Sequence, residues 1–152
     1  MPLQRILIIE DDDSLRRVME YNLSEEGYEV SVAKDGNEGL SLFSKIEFDL
    51  CITDLQMPGM DGMEVLRRVK GSASDIPVII VTAFGTIEKA VEGIKAGAYD
   101  FIAKPFGREH LKLTVKKALE YRGLRNENLR LKAELSDKFR FENIIGSSPR
   151  MA

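Results

Sequence analysis

Short apolar runs alternate with segments of helical period five times along the chain. Leu3–Ile9 predicts a buried strand. Ser14, a good N-cap, then opens a helix with Leu15, Val18, Met19, Asn22 and Leu23 on one face, closed by Gly27. Tyr28–Ala33 predicts a second strand, and Asn37–Ile46 a helix that turns Leu40, Phe43 and Ile46 inward. Phe48–Asp54 reads as a third strand, followed by the Pro- and Gly-containing loop Leu55–Gly62. Asp61 is placed to cap a helix carrying Val65, Leu66 and Val69. Pro77–Thr82 is a β-branched fourth strand, and the helix after it presents Ile87, Ala90, Val91 and Ile94 before stopping at Gly97. Tyr99–Ala103 is the fifth strand, with a fifth helix starting after Lys104-Pro105-Phe106. Strands one, three and four are nearly continuous apolar runs, the pattern of strands buried on both faces. A helix between each pair makes the strands parallel. Five are too few for a closed barrel, so the pattern predicts an open, doubly wound α/β sheet.

The tail differs. From Arg108 the helical pattern meets no strong stop until Lys138, and Tyr121, Leu124, Asn128, Leu131 and Leu135 keep heptad spacing, with Asn128 at an a position. That predicts a short dimeric coiled-coil seam in which a buried Asn fixes register. A helix over Arg108–Lys138 is about 46 Å long at ~1.5 Å per residue, a spacer rather than part of a compact domain. The expected division is a domain over 1–122, a helical linker over 123–140, and a change of character over 141–152.

Composition narrows the chemistry. With 152 residues, 43% of them hydrophobic, the chain can bury a core without disulfides or a structural metal. One cysteine, Cys51, excludes an intrachain disulfide and suits a reducing cytoplasm. No apolar run approaches a membrane span. A single histidine, His110, argues against His-rich zinc sites and Ser-His-Asp catalysis; His110 reads as a surface residue and Cys51 as a small buried hydrophobe. The net charge of −3 speaks against direct nucleic-acid binding. Residues 108–140 hold ten basic and five acidic side chains, so the remainder carries about −8.

In open α/β sheets, ligands bind beyond the carboxyl ends of the strands. Strand one ends in Glu10-Asp11-Asp12-Asp13, strand three in Asp54, strand four in Thr82 and strand five in Lys104. The acidic run alone could merely serve a helix N-terminus. Crowded with Asp54, such carboxylates repel until one takes a proton or a cation joins them. Oxygen ligands without His or Cys select a hard ion, Mg²⁺ first. Asp54 is then a carboxylate nucleophile able to form an acyl phosphate. Lys104 would pair with a phosphoryl oxygen, and Thr82 would donate a hydrogen bond to the same group.

Glu10-Asp11-Asp12, Thr53-Asp54, Met57-Pro58-Gly59-Met60-Asp61-Gly62, Val81-Thr82-Ala83, Gly97-Ala98-Tyr99-Asp100-Phe101 and Lys104-Pro105-Phe106 together resemble the motif set of bacterial response-regulator receiver domains. The resemblance covers residues 3–121. It implies a flavodoxin-like sheet of order 2-1-3-4-5, with Asp54 phosphorylated by a sensor histidine kinase. It also implies Mg²⁺ on Asp11, Asp54 and the main-chain carbonyl of Gln56, with Glu10 acting through water and Asp12 a lesser candidate. Thr82 and Phe101 match the family's switch pair, although Phe101 lacks the hydroxyl of the commoner Tyr. Phe141–Met151 resembles the opening of the AAA+ ATPase domain in NtrC-like, sigma-54-dependent activators, with no Walker A motif. The expectation is a receiver and linker of a longer homodimeric regulator that acts, in full, with sigma-54 RNA polymerase and DNA. This stretch would catalyse only its own phosphorylation and dephosphorylation. Alternatives are a stand-alone phosphorelay receiver or a regulator of another output class. A haloacid-dehalogenase-like hydrolase needs an Asp where Gln56 stands, and a nucleotide- or flavin-binding domain would set phosphate against four acids.

Overall fold

The computed structural model describes residues 3–57, 59–72, 75–83 and 87–123. The elements alternate as expected: β1 (Arg5–Ile9), α1 (Asp13–Glu25), β2 (Glu29–Ala33), α2 (Gly36–Lys45), β3 (Leu50–Asp54), α3 (Gly62–Ser72), β4 (Val78–Ala83), α4 (Ile87–Lys95) and β5 (Asp100–Lys104). Residues 108–123 form α5. All strand pairs are parallel, in the order β2-β1-β3-β4-β5. The three inner strands are β1, β3 and β4, and these are the runs buried on both faces.

Strand periodicity of two divides the core into two layers. Ile6, Ile8, Leu50, Ile52, Ile79, Val81 and Ile102 face Met19 and Leu23 of α1 and Leu111, Val115, Ala118 and Leu119 of α5. Leu7, Ile9, Cys51, Val78 and Ile80 face the other way, toward Val65, Leu66 and Val69 of α3 and the partly buried Leu40, Phe43 and Ile46 around α2. Burial pushes the Cys51 thiol up to about 12, which leaves it an inert apolar filler.

Three expectations are corrected. The N-cap of α1 is Asp12, whose carboxylate accepts from the Leu15 N–H at 3.1 Å; Ser14 lies inside the helix. Val18 is 53% exposed, because it sits about 100° round the helix from Met19, outside the stripe of Leu15, Met19, Asn22 and Leu23. The inward face of α4 is also rotated from the expected one. Ala90 is fully buried while Val91 and Ile94 are exposed. The reason is size. A Cβ on Gly93 would lie 2.2 Å from Ile80 Cδ1, so α4 rests on the sheet through Ala90 and Gly93 while Val91 and Ile94 turn outward.

Removing the Ile52 side chain from the central strand is expected to cost about 2–5 kcal/mol. Val91→Ser is expected to change stability by less than about 0.5 kcal/mol. Urea denaturation of the two variants checks the assignment of inside and outside.

Candidate functional site

Parallel pairing brings the carboxyl ends of β1, β3, β4 and β5 to one rim, and the register decides which side chains meet there. Asp54 pairs with Val81, and Thr82 with Ala103, so Asp54, Thr82 and Lys104 all emerge at the same edge. Asp54 is buried, with 5% of its surface exposed. Its Oδ2 accepts from Lys104 Nζ at 2.7 Å, and its Oδ1 accepts from the Gln56 N–H at 3.0 Å. Lys104 reaches Asp54 across the end of β4, a span that suits its long flexible stem. The peptide between Lys104 and Pro105 is cis.

Glu10 lies one residue past β1 and is 1% exposed. Its Oε2 accepts from the Asp12 N–H at 3.1 Å and from Lys104 Nζ at 3.4 Å. The ammonium also lies 3.2 Å from Oε1, yet that buried oxygen has no hydrogen bond. Carboxylate oxygens of Glu10, Asp11 and Asp54 lie within 4.8 Å of one another. One lysine cannot balance three acids. Burial, together with the Asp54 charge, raises Glu10 to about 7, against the lowering effects of the Asp12 N–H and Lys104. Burial alone would lower the Lys104 ammonium, but its bonds to Asp54 and Glu10 outweigh this and raise it.

The donor set fits a hard divalent cation. It is all oxygen, it brings excess negative charge to one point, and it leaves Glu10 Oε1 without a hydrogen bond. The Asp12 side chain is engaged in capping α1 and stands outside the three-acid group. Thr82 is 1% exposed at the end of β4. It follows Ile80 by two residues, and Phe101 is the register partner of Ile80, so Thr82 and Phe101 share one face on adjacent strands. Phe101 is half-buried against the layer that contains α3. Of the heptad positions, Tyr121 packs its ring on Tyr99 at 5.2 Å between centroids. Leu124, Asn128, Leu131, Leu135 and the 141–152 segment lie outside the described residues.

Two features of the site have a physical reason that only the structure shows, although Gly62 already stands in the sequence motif. Gly62 is the first residue of α3, and a Cβ there would lie 2.2 Å from the Asp54 carbonyl oxygen and 2.6 Å from Leu55 Cα. Its N–H donates to the Leu55 carbonyl at 3.0 Å, so the loop closes directly beneath Asp54. Arg16 donates from Nη1 to the Glu10 carbonyl at 2.9 Å and pairs through Nη2 with Asp13. That pairing holds the Asp13 carboxyl below its usual range. In the sequence, Arg16 shows only its i, i+3 spacing from Asp13.

Gly62→Ala is expected to displace the Asp54 main chain and cost about 1–3 kcal/mol, read by urea denaturation and by the amide resonances of residues 54–56. Glu10 holds a proton more tightly folded than unfolded. The stability it contributes is therefore complete below about pH 4.5 and lost as the pH rises through about 7. In metal-free buffer at pH 8, Glu10→Gln is expected to be more stable than wild type by roughly 1–3 kcal/mol, and the gain should shrink at pH 5. Denaturation at the two pH values reads the sign.

The chain matches the family model of the response regulator receiver domain over residues 6–116. It is 35% identical over 149 residues to the regulatory protein AtoC of Escherichia coli (strain K12), covering 98% of this chain and 32% of that protein. The crystal structure of NtrX from Brucella abortus in complex with ADP is similar, with a TM-score of 0.83 and 33% identity over 86% of this chain and 30% of that one. A response regulator receiver domain protein from Clostridium thermocellum gives a TM-score of 0.77 at 31% identity, over 80% of this chain and 98% of that one. The chain thus spans about a third of the length of AtoC, the NtrX-like regulators and DctD, and about half that of the shorter relatives YkoG and MprA. The sheet order, the acidic rim and a family match running through both agree: this chain belongs to the response regulator receiver family.

Proposed function

We propose that Asp54 accepts a phosphoryl group from a phosphohistidine of a sensor histidine kinase. In this reading Mg²⁺ is held by Asp11, Asp54 and the main-chain carbonyl of Gln56, with Glu10 acting through water. The observation that carries it is the 2.7 Å contact of Lys104 Nζ with Asp54 Oδ2 inside a group of three acids at the strand ends. A merely structural ion pair would not need two further carboxylates beside it.

An Asp54 oxygen attacks phosphorus, the bond from phosphorus to the imidazole nitrogen breaks, and that nitrogen keeps the electron pair and takes a proton. The product is an acyl phosphate on Asp54. When bound, the ion neutralises charge on the phosphoryl oxygens. Lys104 exchanges part of its contact with Asp54 for a phosphoryl oxygen, so it stays paired throughout. The Gln56 N–H fixes the Asp54 carboxylate through Oδ1. Thr82 donates its hydroxyl to the phosphoryl group, and Phe101 beside it on the same sheet face repacks in response. Hydrogen bonds to charged groups are worth about 1.5–3 kcal/mol, enough to shift a two-state equilibrium ten- to a hundredfold.

For the output, the resemblance of Phe141–Met151 to the opening of NtrC-like ATPase domains supports a role in controlling a sigma-54-dependent activator through a dimeric linker continuing from α5, and the regulators AtoC and NtrX among the relatives are in keeping with it. The Phe141–Met151 segment is read as the start of that ATPase domain.

With Mg²⁺ and a small phosphodonor, wild type is expected to gain the mass of one phosphoryl group and Asp54→Ala none. Lys104→Ala is expected to slow the reaction about ten- to a hundredfold. Intact-protein mass spectrometry reads all three, and a phosphorylated Asp54→Ala protein overturns the reading.

A further inference from the structure

Arg16 lies in the first turns of α1, where an arginine is ordinarily solvated. Its side chain is only 17% exposed, because it folds back over the end of β1. There its Nη1 meets the Glu10 carbonyl at 2.9 Å. The other polar groups of Glu10 are accounted for differently. Its N–H donates to the Ala33 carbonyl of β2 at 3.0 Å, and its carboxylate engages the Asp12 N–H and Lys104. The Glu10 carbonyl lies beyond the last β1 residue, and among the described residues Arg16 is its donor.

That carbonyl belongs to the peptide unit that continues into Asp11. The Asp11 side chain is exposed and makes no hydrogen bond or ion pair among the described residues. Among the described residues, its own backbone therefore sets where the third carboxylate of the group stands. The backbone on one side is held by the Asp12 N–H on Glu10, and on the other by Arg16.

We infer that Arg16 is a positioning residue for the metal-binding acids, which pins the Glu10–Asp11 peptide and so presents the Asp11 carboxylate to the cation. The inference rests on the reading of these acids as an Mg²⁺ site. It makes a prediction whose sign differs from that of simple electrostatics. Arg16 is a cation close to a cation site, so its charge alone opposes Mg²⁺, and deleting it would tighten binding. If its role is to hold the peptide, deleting it weakens binding.

The test is a Mg²⁺ titration of the 152-residue chain, followed by calorimetry and by the amide resonances of Glu10, Asp11 and Asp54, with no phosphodonor present. Arg16→Ala is expected to weaken Mg²⁺ binding about tenfold, the lower end of what loss of an outer-shell partner costs a metal site. Arg16→Lys keeps the charge and one donor, and should fall between wild type and Arg16→Ala. Asp13→Asn leaves the guanidinium–carbonyl bond in place and should bind within about threefold of wild type. A thermal melt in metal-free buffer separates a folded variant from an unfolded one. If Arg16→Ala does not fold, Arg16→Lys carries the test, and binding equal to wild type overturns the inference. A folded Arg16→Ala that binds Mg²⁺ as tightly as wild type, or more tightly, also overturns it. A wild type that binds no Mg²⁺ overturns the functional reading instead.

Discussion

One ammonium set among three carboxylates governs this molecule. Two unit charges 4 Å apart interact by about 4 kcal/mol at the effective dielectric of a protein surface. Lys104 therefore cannot leave Asp54 and Glu10 cheaply, and the three carboxylates bring more charge than one lysine balances. The rim is held short of electrostatic balance. Burial first, and then the Asp54 charge, raise the proton affinity of Glu10, and one of its buried oxygens is left with no hydrogen bond. The sheet order makes it possible. β1 and β3 are neighbours, so Glu10 and Asp54 crowd together, while β5 stands one strand farther and contributes the residue with the longest reach.

Two glycines let the main chain close on its neighbours, one at the rim and one behind it. Gly62 lets α3 start against the peptide after Asp54, and Gly93 lets α4 settle onto Ile80. In both places the missing side chain is a structural requirement. A strand end buried this deeply can present a carboxylate only if the loops around it close tightly.

Most of the fold is legible in the sequence because its signals are additive. Unbroken apolar runs such as Leu50–Ile52 and Val78–Val81 read as buried strands whatever their neighbours. The rim is legible for a related reason: once strands end at Glu10, Asp54, Thr82 and Lys104, parallel pairing leaves those side chains nowhere else to go. What escapes the sequence depends on size and geometry. Hydrophobic periodicity weighs Val91 above Gly93, whereas packing weighs them the other way. Ser14 looks like the better helix start until the three preceding aspartates compete for the role, and Asp12 takes it. Arg16 is written like any solvated helix charge, and only the fold shows that it bends back to a carbonyl.

The far end of the molecule has a fastening of its own. Arg122 bridges Asp49, which also accepts the Arg5 N–H at 2.8 Å, and Asp75 at 3.3 Å, while Tyr121 rests on Tyr99 at the entrance to β5. The last described turn of α5 is thus tied to the strand entrances, opposite the acidic rim. A pull on that helix end would meet the roots of β3, β4 and β5 first, so these contacts make the heel of α5 a fixed point for any leverage along it.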